Sequence, residues 1–237
     1  MKIRLAKTAG FCMGVRRAVE MALDLQREAQ VQPIVTYGPL IHNPQTLKLL
    51  ASKGIFQIDS IDDINGGTVI IRAHGISPQE KDRLESKGIT IIDATCPRVS
   101  QVQAFIRKHA RMGHFCVIVG DEDHPEVKGL LGYASSGAVV ISGSEQSELF
   151  DRVPLDRHVC VVAQTTQEPK TLRQVVARME SLGFQIKVYN TICDSTKKRQ
   201  SEVDELAGRP TWWLLWAVKV RGTLRDWQKS LRIMVSP

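Results

Sequence analysis

Apolar, β-branched runs alternate with amphipathic helical segments along most of this chain, and that alternation restricts its fold more than any other feature. Strand-like runs fall near 2–6, 33–38, 68–72, 89–93, 115–120, 137–142, 159–163 and 184–189. The clearest helical spacing covers 14–29, 98–112, 168–182 and 195–207. Strands separated by helices predict α/β layers with largely parallel sheets. The 237 residues suffice for one large or two ordinary domains with a proper core.

Within the alternation one unit recurs. Ile3-Arg4-Leu5-Ala6 leads to Cys12 and a helix through Val15 and Val19. Ile89–Asp93 leads to Cys96-Pro97 and a helix through Val99 and Val102. Ile186–Tyr189 leads to Cys193 and a helix through Arg199 and Glu202. The intervals between the cysteines, 84 and 97 residues, match the length of a small α/β module, so the pattern reads as a threefold internal repeat. A thiol at a helix N-terminus meets free N–H groups and the positive dipole end, which favour the thiolate. Thiolates are the ligands of iron–sulfur clusters. Three converging thiolates would hold such a cluster; three unrelated buried cysteines fit the spacing as well. Cys116 and Cys160 lie inside the apolar runs FCVIVG and HVCVVA and read as structural.

Histidines repeat the logic. His42 follows the strand through Val35 and Tyr37, His74 follows Val69–Arg72, and His124 follows Val117–Gly120. In parallel α/β sheets ligands bind beyond the carboxyl ends of the strands, so these imidazoles could gather on one anionic group and relay protons. Each singly could equally be a surface or capping residue. His109, His114 and His158 have no such context. Glu126, just after Pro125, is either a first-turn carboxylate favoured by the helix dipole or a proton donor with a raised pKa. Thr165, after the strand 159–163, is either an ordinary N-cap for the helix 168–182 or a substrate contact.

No window approaches the roughly 18 apolar residues of a membrane span, and MKIRLAKTAGFCMGV lacks a signal-peptide core. A cytoplasmic location is expected. In a reducing compartment five cysteines favour metal, catalytic or buried thiols over disulfides. The net charge of +7 suggests nucleic acid until it is mapped. From Arg209 onward there are six basic residues and one acidic, giving +5, whereas residues 1–208 carry 26 and 24, giving +2. The body is near neutral, so neither a nucleic-acid partner nor a membrane partner is expected.

The segments GFCMGVRRAVE, GPLIHNP, RAHGIS, DATCP, DHPEVKG, QTT and TICDSTKKRQ, in this order, resemble the 4-hydroxy-3-methylbut-2-enyl diphosphate reductase family over residues 1 to about 207. The resemblance implies an α/β trefoil-like arrangement of three α/β modules around a central iron–sulfur cluster. Residues 13–96 would form the first module, 97–192 the second, and 1–12 with 193–207 an incomplete third. It implies Cys12, Cys96 and Cys193 as ligands of a 4Fe-4S cluster. His42, His74, His124 and Thr165 would bind the allylic diphosphate substrate, and Glu126 would be the catalytic proton-relay acid. The implied reaction is reductive dehydroxylation to isopentenyl and dimethylallyl diphosphate, with electrons from ferredoxin or flavodoxin. The alternative is a non-catalytic remnant without a cluster. Zinc is disfavoured, because the cysteines are too widely spaced for the usual pairs.

The tail departs from the family. Residues 208–237 carry all four tryptophans, and a one-base shift of the codons explains them. In the shifted frame Trp212-Trp213 must encode valine, Trp216-Ala217 glycine, Asp226-Trp227 leucine and Trp227-Gln228 alanine. The degenerate positions between permit a strand, a glycine turn and a Ser/Asn motif, which the family has here. Residues 208–237 are therefore expected to be a frameshifted tail, and the chain as written to be destabilised and inactive or nearly so.

Overall fold

The computed structural model describes residues 6–28 and 33–207. The expected strand at 2–6, except its last residue, and the tail at 208–237 lie outside these residues. The described chain runs α1 (Met13–Glu28), β1 (Ile34–Tyr37), α2 (Pro44–Ser52), β2 (Ile55–Ile58), a 3-10 turn (Ile61–Asp63), β3 (Thr68–Ile71), α3 (Pro78–Ser86), β4 (Thr90–Asp93) and α4 (Pro97–Arg111). It continues with β5 (Phe115–Val119), α5 (Pro125–Leu131), β6 (Ala138–Ile141), α6 (Ser147–Phe150), β7 (Val159–Ala163), α7 (Pro169–Ser181), β8 (Ile186–Val188) and α8 (Asp194–Ala207).

The strands form two four-stranded sheets, ordered β2-β1-β3-β4 and β6-β5-β7-β8. Every pairing is parallel. The two orders are the same, so two units of the expected threefold repeat, those ending at Cys96 and Cys193, recur in the sheet topology. β4 and β8 are the corresponding edge strands, and each leads into a cysteine.

Both faces of each sheet are covered, which explains the nearly continuous apolar runs. In the first sheet Ile34 and Ile70 pack under Ala18, Val19 and Ala22 of α1, while Val69 and Ile71 face Leu84 of α3. In the second, Val117, Val119, Val159 and Val161 pack against Leu172, Val175 and Met179 of α7. On the opposite face Cys116, Ile118, Cys160 and Val162 meet Val102 and Ile106 of α4 and Leu130 of α5. Cys116 and Cys160 sit side by side in register between β5 and β7 and are buried, as expected for structural thiols. His109 is also buried, bonded through Nδ1 to His114 Nδ1 at 2.8 Å and through Nε2 to the Tyr189 hydroxyl at 2.8 Å.

β2 was not expected. Its four residues carry the burial pattern of an edge, with Phe56 and Gln57 exposed, so no apolar alternation marks it. The two sheets meet where α5 packs on the turn after β3. A Cβ on Gly129 would touch the backbone of Ile76, and one on Gly132 would strike Ser77 Cβ at 2.5 Å. The first is ordinary contact, whereas Gly132, the C-cap of α5, leaves no room for a side chain; this close approach brings the end of β5 beside the end of β3.

Candidate active site

Cys12, Cys96 and Cys193 each stand one residue before a helix: α1, α4 and α8. Their carbonyls each accept the first helical hydrogen bond, from Arg16 N at 2.9 Å, Ser100 N at 3.0 Å and Lys197 N at 3.1 Å. The three are structurally equivalent N-terminal positions, and all three line one cavity of about 580 Å³. At Cys96, Pro97 fixes the first helical residue, and the N–H groups of Arg98 and Val99 face the sulfur. These donors do not win. Burial raises the Cys96 thiol above its ordinary pKa, the two N–H groups lower it, and the neighbouring Cys12 and Cys193 raise it further. The expectation that a helix N-terminus depresses this thiol is therefore corrected at Cys96, because desolvation outweighs the dipole.

Side chains tie the cysteine-bearing ends together. Arg17 of α1 donates to the Thr95 carbonyl at 3.2 Å, and a Cβ on Gly14 would collide with Cys96 Sγ. Arg98 of α4 pairs with Asp194 of α8 at 2.7 Å. Glu202 of α8 accepts from Lys7 N at 2.6 Å, Thr8 N at 2.8 Å and Thr8 Oγ1 at 2.5 Å. Arg199 donates to the carbonyls of Thr8 at 3.2 Å and Gly10 at 2.6 Å. The segment leading to Cys12 is thus clamped by the helix that follows Cys193. Sequence reasoning did not single out Arg17, Arg98, Arg199 or Glu202. The i, i+3 spacing of Arg199 and Glu202 on one helical face is the signal that was available.

The histidines occupy the other end of the same cavity. Ring centroids are 4.7 Å apart for His42–His74, 5.3 Å for His74–His124 and 6.0 Å for His42–His124. Burial lowers the pKa of each, joined at His74 and His124 by the charge of neighbouring histidines and at all three by Arg72. His124 falls to about 4. The rings are therefore neutral at pH 7. His42 Nε2 and His74 Nδ1 are buried without a hydrogen-bond partner, so these atoms await a ligand or water.

Among the described residues, the three histidines are the only set of three His, Cys, Asp or Glu side chains close enough to hold one metal ion, with ligand atoms within 4.8 Å. The proton pattern argues against that use. His124 caps α5, its Nδ1 accepting from Glu126 N at 3.1 Å. A neutral imidazole has one lone-pair nitrogen. With Nδ1 accepting, Nε2 carries the proton and donates, which suits an anion or hydroxyl and not a metal.

Glu126 stands in the first turn of α5, but it does not serve there as an exposed dipole partner. It is 2 % exposed, and its carboxylate accepts from Thr165 N and Thr165 Oγ1, both at 2.7 Å. Burial pushes its pKa up to about 7 against the lowering effect of the two Thr165 donors. Thr165 is not the N-cap of α7, a position taken by Glu168. Its carbonyl accepts from Cys193 N at 2.9 Å, so Glu126, Thr165 and Cys193 form one bonded chain.

All eight residues expected at the site line this one cavity. The thiols are spread too widely for a single ion, yet each stands at an equivalent helix N-terminus, and the missing side chain of Gly14 makes room for Cys96 Sγ itself. That donor set fits a polynuclear iron–sulfur group.

A family model described as LytB protein matches residues 3–213. The 4-hydroxy-3-methylbut-2-enyl diphosphate reductase of Pelobacter propionicus is 40% identical over 207 residues, covering 87% of this chain and 72% of the relative. That of Geobacter sulfurreducens is 41% identical over 208 residues, with the same coverages. A solved structure of (E)-4-hydroxy-3-methyl-but-2-enyl diphosphate reductase aligns with TM-score 0.72 at 41% identity, over 86% of this chain and 73% of that one. The Plasmodium falciparum reductase structure aligns with TM-score 0.77 at 27% identity, over 84% and 63%.

Proposed function

The chain belongs to the LytB family of 4-hydroxy-3-methylbut-2-enyl diphosphate reductases, which are oxidoreductases, and we propose that its cavity is the reaction chamber for reductive dehydroxylation of that allylic diphosphate. Cys12, Cys96 and Cys193 would hold a 4Fe-4S cluster at the centre of a trefoil whose third module is 1–12 with 193–207. When bound, such a cluster supplies electrons singly and an electrophilic iron. The overall balance is an alcohol plus two electrons and two protons giving isopentenyl or dimethylallyl diphosphate and water.

The chain's own residues would do the rest. His124 presents Nε2–H, and His42 and His74 present buried, unpartnered nitrogens. Together they receive the diphosphate and hydroxyl groups. Glu126, titrating at about 7, holds a proton at neutral pH and can give it up, as a relay acid must. Thr165 orients that carboxyl group and would contact the substrate. Ferredoxin or flavodoxin would deliver the electrons. Among the described residues no helix is long and apolar enough to cross a membrane.

The observation that carries this reading is the convergence of three thiols at helix N-termini and the buried Glu126–Thr165 pair on one cavity. Residues 208–237 would supply no Ser/Asn wall to it, so we expect little or no turnover from the 237-residue chain. Iron and acid-labile sulfide are measured after anaerobic reconstitution, alongside turnover with a chemical reductant. Bound cluster with turnover weak or absent is expected. A colourless, iron-free protein would favour the remnant reading, and full turnover would refute the account of the tail.

A further inference from the structure

One cation beside the histidines is absent from the cavity wall yet acts on all three. Arg72 ends the strand run that delivers His74. Its Nε donates to the Gly75 carbonyl at 3.3 Å, while Gly75 N donates back to the Arg72 carbonyl at 2.9 Å, closing the turn that contains His74. The guanidinium lies 5.7 Å from the Tyr37 ring centroid, in cation–π range. Its seat is built by glycine. Gly38 has φ +69, and a Cβ there would sit 2.5 Å from the Arg72 guanidinium. Gly75, with φ +71, likewise leaves no room for a side chain beneath Gln103.

Other charged and titratable groups around this seat are identifiable. Glu80 and Arg83 of α3 act on Tyr37, whose hydroxyl donates to Glu80 at 2.8 Å. Glu80 also accepts from Ser77 N and Oγ, both at 2.8 Å, so its charge is already shared. Asp121, after β5, acts on His124 in the opposite sense to Arg72.

We propose that Arg72 is a positioning residue for the phosphate-binding end of the cavity: it fixes the His74 turn and sets a permanent positive charge near His42, His74 and His124, outside the cavity lining. The inference rests on the diphosphate reading of that end. Three neutral imidazoles can donate hydrogen bonds but supply little charge to an anion as strong as a diphosphate. A guanidinium held near them but outside the cavity lining supplies the field without occupying the substrate's space, and it opposes imidazolium formation by like-charge repulsion. The lowered pKa values of the histidines accord with this arrangement.

The test uses the full chain with labelled histidine, followed by NMR against pH and against added inorganic pyrophosphate, for wild type, Arg72→Lys, Arg72→Met and Arg72→Gln. Circular dichroism confirms folding. In either neutral variant the His42 and His124 midpoints should rise by about half a pH unit or more, and pyrophosphate affinity should fall about tenfold. Arg72→Lys keeps the charge but not the Gly75 bond. It should restore the midpoints, keep affinity within about threefold, and still shift the His74 signals. Unmoved midpoints in a folded neutral variant overturn the charge role, and so does Arg72→Lys behaving like Arg72→Met. If pyrophosphate leaves all three wild-type histidines undisturbed, the diphosphate reading fails, while the midpoints still decide the role of Arg72.

Discussion

Replacing Glu126 with Gln tests the central electrostatic claim through stability alone, without cluster or substrate. The carboxyl group is buried and titrates at about 7 instead of 4.5. In the unfolded chain it loses its proton near the ordinary value; in the folded chain it keeps it to higher pH. Folding is therefore least penalised below pH 4.5, and the penalty grows until pH passes about 7. At ~1.36 kcal/mol per pH unit the full interval is worth about 3 kcal/mol. Gln fits the same site, because its Oε1 can accept from Thr165 N and its Nε2 can donate to Thr165 Oγ1, whose hydroxyl rotates. Urea unfolding at a series of pH values is the assay. Glu126→Gln should match wild type near pH 4.5 and exceed it by up to about 3 kcal/mol at pH 8, with the difference rising between the two. A difference that does not vary with pH would show that Glu126 is not a buried, reluctantly ionised acid, and the relay role would lose its basis.

Other outcomes follow from the cysteine end. Alanine ordinarily stabilises a helix interior over glycine by up to ~1 kcal/mol. At Gly14 the added Cβ collides with Cys96 Sγ, and overpacking costs ~1–3 kcal/mol. Gly14→Ala should therefore lower stability and cluster loading together, as urea unfolding and iron analysis would register; a stabilised variant would contradict the geometry. Glu202→Gln keeps the shape of the clamp on Lys7 and Thr8 but removes its charge. Hydrogen exchange at residues 7–10 should speed up, with no change in the cores of the two sheets. Unaltered exchange there would mean that α8 does not hold the segment.

Much of this site was legible because the parallel sheet puts chemistry at strand ends. His42, His74 and His124 each follow a run of apolar strand residues, and their convergence needed only that the two sheets meet. Cys12, Cys96 and Cys193 were legible as turn residues between strand and helix. Glu126 was not decidable from sequence. Its burial depends on Thr165, thirty-nine positions away, and nothing local separates an exposed first-turn carboxylate from a buried one. The helix-dipole argument for Cys96 pointed the wrong way for the same reason, since desolvation is a property of the packed molecule. β2 was invisible because an edge strand of four residues shows too little alternation. Arg72 lacked any signal of its own, since its role lies in the glycines that vacate its seat.

The three corners of the cysteine end are not equally supported. Cys96 precedes α4, which buries Val99, Val102 and Ile106, and Cys12 precedes α1, which buries Ala18, Val19 and Ala22. α8 has no fully buried residue from 194 to 206. It is joined to the described structure chiefly by polar contacts: Arg98–Asp194, the Arg199 and Glu202 bonds to residues 7–10, and Cys193 N to Thr165 O. Both partners of Arg98–Asp194 are largely exposed, and pairs of that kind contribute ~0–1 kcal/mol. An apolar helix face can hold its position without a ligand; from 194 to 206 α8 buries none against the described residues. A cluster bonded to all three sulfurs would lend its binding free energy to the fold, and the corner with least packing would benefit most. The order of α8, and with it of the segment before Cys12, would therefore be coupled to such a cluster in a way that the order of α4 would not.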